Sequence, residues 1–157
     1  MENTFDYIGH YLEGYAQVYK RRKLIKPQER GLRKPKTEEE LWGLIDLDNN
    51  IIIPLEYEHV GRCVEGICTI TKNKKWGFFD VEKGKIVIEP AYEWANNFEN
   101  GIAPVKKNGF YAYINRKGEL VTPFQYTDAC NVGEVARISR GGRQGELDPT
   151  TFEETWY

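Results

Sequence analysis

The sequence predicts an all-β repeat domain, and three observations carry that prediction. A six-residue string recurs at nearly constant spacing, short segments rich in β-branched and aromatic residues fill each interval, and turn dipeptides separate them. The string is LWGLID at residues 41–46, KWGFFD at 75–80, FYAYIN at 110–115 and RQGELD at 143–148, with steps of 34, 35 and 33 residues from Trp42. An apolar run ending at or near proline follows the first three copies, at Pro54, Pro90 and Pro123. A tyrosine comes next in each case: Tyr57, Tyr92 or Tyr126.

Each element of a unit has a local reason. Strand A, residues 101–107 in the third unit, stops at Asn108-Gly109, a dipeptide that accepts the positive φ angles of tight hairpin turns. Strand B spans residues 110–115. Strand C, residues 119–123, closes at a proline, which cannot donate to a ladder. The N-terminus fits the second half of the same unit: Phe5, Tyr11, Gly14, Ala16 and Val18 fall opposite Tyr92, Phe98, Gly101, Ala103 and Val105 without a gap. Residues 1–157 then read as one domain of about four three-stranded antiparallel meanders. The units are 5–56 with an insertion at 20–40, then 57–91, 92–125 and 126–157. The fourth stops before a strand C, which leaves a neighbouring edge through which copies of the chain could pair. Neighbours such as Leu44 and Ile45, or Phe78 and Phe79, are apolar on both strand faces. Units must therefore cover one another, as in a coiled solenoid, a sandwich-like stack or a partly closed propeller.

The WG dipeptides Trp42-Gly43 and Trp76-Gly77, each before an apolar pair and Asp, together with the IIPxxY run and the FxxGxAxV run, resemble the WG (or KWG) repeat of many bacterial proteins. The resemblance spans residues 41–148 and, more weakly, 5–18. The third copy departs with Tyr111-Ala112 and the fourth with Gln144-Gly145. The resemblance implies an all-β bacterial repeat module with an interaction or structural role, and it supplies no catalytic residues to carry over.

Composition excludes several classes. With 40% hydrophobic and 13% aromatic residues the chain can bury a core, and no apolar run approaches the roughly 20 residues of a membrane span. The first fifteen residues lack a basic start and an apolar stretch, so a cytoplasmic location is expected. Cys63, Cys68 and Cys130 are odd in number and form no CxxC, which argues against a disulfide framework or zinc knuckle. The repeated residues read as structure. Trp42 and Trp76 are expected as core aromatics, Gly43 and Gly77 as points of close backbone approach, and Asp46, Asp80, Asn115 and Asp148 as acceptors for turn amides. Cys63 and Cys68 fall in packing columns. The two histidines, His10 and His59, occupy different columns and suggest no metal site. Residues 46–50 open like a calcium loop, but Ile51 stands where glycine is needed and Tyr57 where the bidentate glutamate belongs. Ser139 is the sole serine and lies outside any GxSxG. No catalysis, cofactor or metal is expected.

Residues 20–36 exceed the bland expectation. They hold Lys20, Arg21, Arg22, Lys23, Lys26, Arg30, Arg33, Lys34 and Lys36 against the single acid Glu29. The chain totals 22 basic and 24 acidic residues, so without this segment the remainder carries about ten negative charges. The insertion is expected as a mobile or partly helical loop between strands A and B of the first unit, broken by Pro27, Gly31 and Pro35. It is the candidate arm for a protein partner or, alternatively, for nucleic acid or another polyanion. Five of its cations on duplex phosphates would give a log-affinity slope of roughly −4 to −5 against log salt. The acidic remainder would repel such a ligand beyond the arm. Phe152, Trp156 and Tyr157 at the other end either staple the last unit or contact a partner.

Overall fold

The computed structural model describes residues 4–28 and 36–157, with backbone alone at 25–28, 36 and 37, and every regular element in it is a strand. Four antiparallel sheets follow one another in chain order. The first holds β1 (Tyr7–Ile8), β2 (Tyr15–Gln28), β3 (Lys36–Asp46) and β4 (Ile51–Tyr57). The second holds β5 (His59–Val64), β6 (Ile67–Lys72), β7 (Lys75–Asp80) and β8 (Lys85–Tyr92). The third has β9 (Trp94–Ala95), β10 (Ile102–Lys107) and β11 (Phe110–Asn115). The fourth has β12 (Asp128–Val132), β13 (Val135–Arg140), β14 (Arg143–Leu147) and β15 (Glu154–Trp156). Every unit gains a strand that was not expected, because the connector itself pairs with strand A as β1, β5, β9 or β12.

The sheets stack rather than close into a barrel. Cys68, Ile70 and Phe79 of the second sheet bury against Leu44, Ile53 and Tyr57 of the first. Ala103, Val105 and Ile114 repeat that arrangement on Ile67 and Phe78, and Ala136, Ile138 and Leu147 repeat it on Ile102 and Tyr113. One apolar column per unit therefore docks on the sheet before it. This is why strands with consecutive apolar residues are stable here: both faces are covered.

The WG, proline and tyrosine positions form one device. Trp42 pairs with Tyr57 and Leu44 with Ile53, so Gly43 alone opposes Pro54, Leu55 and Glu56. Trp76 pairs with Tyr92 and Phe78 with Ile88, so Gly77 alone opposes Glu89, Pro90 and Ala91. The extra residues fold over the glycine. A Cβ on Gly43 would lie 2.5 Å from the Ile53 carbonyl oxygen, and one on Gly77 would lie 2.4 Å from that of Ile88. Proline therefore does not end strand C as expected. It sits in a bulge, where no ladder donor is required, and β4 and β8 run on to the tyrosine.

Two further expectations are corrected. In the third unit, strand C at residues 119–123 does not form. Ala112 replaces the glycine, only the isolated bridges Tyr111–Tyr126 and Ile114–Leu120 remain, and Tyr113 N donates to the Thr122 hydroxyl (2.9 Å) instead of to a strand. In the fourth unit, which was expected to lack strand C, β15 pairs with β14 and lies against Gly145, where a Cβ would meet Thr155 O at 2.6 Å. The edge offered there to a second copy is that of β15, not a bare β14.

Candidate interaction surface

The described parts of the basic insertion, residues 20–28 and 36–40, are strand rather than the expected loop or helix. They prolong β2 and β3 into a hairpin arm, because the register that aligns Tyr15 with Asp46 continues outward through Tyr19–Trp42, Lys20–Leu41, Arg21–Glu40, Arg22–Glu39 and Lys23–Glu38. It shifts between Lys23 and Gln28. Opposite charges directly across strands attract, so KRRK on one strand stabilises EEE on the other. Arg22 donates to Glu39 through Nε (2.9 Å) and Nη2, and Arg21 lies 3.8 Å from Glu40. These pairs are exposed, and each contributes well under about 1 kcal/mol. Lys26 and Lys36 are described by backbone alone, and Arg30, Arg33 and Lys34 lie outside the described residues.

A groove of about 490 Å³ opens at the root of the arm. Glu38, Glu39, Glu40, Glu56 and Glu58 line it together with Arg21, Arg22 and Lys72. Lys72 Nζ approaches Glu56 at 3.5 Å, while Glu58 accepts from Lys74 N at 3.1 and 3.2 Å. The groove thus joins the arm to the second sheet through groups of both signs.

Beside it runs an aromatic row that the sequence pattern did not single out. Tyr7 stacks on Tyr19 at 5.2 Å, Tyr19 meets Trp42 at 4.8 Å, Trp42 stacks on His59 at 5.4 Å, and His59 stacks on Trp76 at 6.5 Å. Trp42 and Trp76, expected as core aromatics, are half-buried: each packs against a core cluster and also belongs to this row. His59 stacks on the Trp42 ring and Tyr19 meets it at a tilt, and Trp42 also lines the groove. Burial holds the His59 imidazole below its ordinary value of 6.5.

The recurring short polar residue after strand B does what its position suggested. One side-chain oxygen accepts two turn amides in every unit: Asp46 from Asp48 and Asn50, Asp80 from Glu82 and Lys83, Asn115 from Lys117 and Glu119, Asp148 from Thr150 and Thr151. Hydrogen bonding from Asn50 and from Thr151 holds the Asp46 and Asp148 carboxyls below the usual carboxylate range.

At the C-terminal end, Trp156 packs on the last core and donates through Nε1 to Glu154 (2.9 Å). Glu154 also accepts from Tyr126 Oη, from Gln125 Nε2 (3.0 Å) and from Arg140 Nη2 (3.1 Å), and Arg140 lies over the Trp156 ring. Burial and the Glu154 hydrogen bond push the Tyr126 hydroxyl up to about 12. Trp156 is thus held by its own unit, whereas Phe152 is 40% and Tyr157 68% exposed.

His10 and His59 are not brought together with other ligands, and among the described residues no group of three or more His, Cys, Asp and Glu side chains could hold a metal ion. Among those residues no helix is long and apolar enough to cross a membrane. The WG containing repeat matches the chain three times, at residues 42–76, 76–109 and 111–143. These segments cover more than half of the chain, and the chain belongs to that repeat family. No curated protein matches it.

Proposed function

We propose that this protein is a noncatalytic interaction module that docks a protein partner along the hairpin arm and the groove at its root. The observation that carries the reading is the charge pattern of the arm: a cationic rail, Lys20 to Lys23, runs beside an anionic rail, Glu38 to Glu40, in direct register. A polyanion meets repulsion on the second rail at every step. A protein segment with both signs satisfies both rails and gains orientation from the pairing. Phe152 and Tyr157 supply a second, apolar contact at the far end. The three free cysteines and the repeat family support a bacterial, cytoplasmic setting.

The test replaces residues 21–40 by Asn-Gly, which closes the hairpin on the hydrogen-bonded Lys20–Leu41 pair. Intact and shortened proteins are used to capture partners from host lysate at low and high salt, with and without nuclease. The reading expects a protein that survives nuclease and is lost with the arm. Capture abolished by nuclease assigns the arm to nucleic acid, and capture indifferent to the arm moves the site elsewhere.

A further inference from the structure

We propose that Cys63 and Cys68 are a reversible disulfide site, closed across the β5–β6 hairpin by a hydroperoxide and reopened by a thiol reductant. The two residues are direct partners in the antiparallel register, one pair inward from Val64–Ile67, which closes the turn. Glu65 and Gly66 make that turn with φ of 52° and 76°, the primed geometry of a two-residue hairpin. Next to such a turn the closing pair carries the backbone hydrogen bonds and the following pair carries none. Its Cα atoms stand about 4.5 Å apart, within the roughly 4.4–6.8 Å that a disulfide spans. Partners across strands share a face, and both thiols are buried in the core between the first and second sheets.

Packing does not require two thiols at these places. Ala16, Ala103 and Ala136 hold the Cys68 column, and Asn131 faces Ala136 as Cys63 faces Cys68. The Cys68 thiol donates to the Cys63 sulfur, which lowers the Cys63 thiol and, with burial, raises that of Cys68. Cys63 is also the less enclosed of the two, 3% exposed against 0% for Cys68, and is taken as the nucleophile. Its thiolate attacks the peroxide O–O bond and leaves a sulfenic acid and an alcohol. The Cys68 sulfur then attacks the sulfenic sulfur, the S–S bond forms, and the hydroxyl leaves as water with the proton of Cys68. Both sulfurs are oxidised and the peroxide is reduced. The pair sits at a hairpin tip beside a register shift between Val60 and Cys63, so brief opening of the tip admits the oxidant.

The reduced full-length protein is treated with tert-butyl hydroperoxide, denatured, alkylated with N-ethylmaleimide and weighed intact. The proposal expects alkylation to fall from three sites to one, with loss of two hydrogens, a 63–68 linked peptide, and return to three after dithiothreitol. Cys130→Ser should still close the bond. Cys68→Ala, which places in the second unit the residue found in the others, should fold and stop at a Cys63 sulfenic acid that dimedone captures. Three alkylated thiols after treatment overturn the proposal, as does irreversible oxygen addition at Cys63 without a link, or a link that involves Cys130.

Discussion

A methyl group on residue 77 would sit 2.4 Å from the Ile88 carbonyl oxygen and 2.6 Å from Pro90 N, both of them backbone atoms that cannot step aside. Gly77→Ala should therefore cost at least about 2 kcal/mol, in the range of overpacked cores, read as a lower urea midpoint. The third unit supplies the control. Ala112 is fully buried where no strand C lies over it, so Ala112→Gly should cost about 1–2 kcal/mol, from the lost buried methyl and from backbone freedom. Sequence spacing made the glycine's role legible. It did not show that proline and glycine act together, because the bulge depends on which residue pairs with which. His59 behaves differently. Its imidazole is depressed below 6.5 between two indoles, so the unfolded chain takes up a proton first as pH falls. The stability it contributes is whole above pH 6.5 and is lost as pH drops through 6.5 towards the folded value. Between about pH 7.5 and 5.5, the urea midpoint of His59→Phe should fall less than that of the unaltered chain.

The arm is the element whose charge was plain and whose structure was not. KRRK and EEE carry no period-two apolar signal, and Pro27, Gly31 and Pro35 suggest a broken loop. The missed signal was arithmetic: the paired numbers from Tyr15–Asp46 to Lys23–Glu38 keep one constant sum, so a register already set by strands A and B lines the two charge runs up unaided. Because its ion pairs are exposed and its roots are separately held by Trp42 and Tyr19, the arm adds little to the fold. Replacing residues 21–40 by Asn-Gly should shift the unfolding free energy by less than about 1 kcal/mol in denaturant titration. A large loss would make the arm part of the core.

Across the whole molecule, stability is a chain of nearest-neighbour terms, because each docking column touches only the sheet before it. The family and the stacking of units were legible in the repeat period, whereas the connector strands were not, and two of them, Tyr7–Ile8 and Trp94–Ala95, are too short to show alternation. The end sheets each have one neighbour and the middle sheets have two. Amide exchange should therefore be slowest in β6, β7, β10 and β11 and faster in β1 and β15. Phe78 tests this coupling most directly. It is fully buried, belongs to the second sheet, and meets Phe98 of the following unit edge-on at 4.9 Å. Phe78→Ala should cost about 3–5 kcal/mol. Since the cavity opens at the interface between the second and third sheets, exchange should accelerate on both sides of it, while the Glu154 clamp in the fourth sheet keeps its protection relative to its own neighbours. Acceleration confined to the second sheet would mean that the units fold independently and that the stack is not the source of stability.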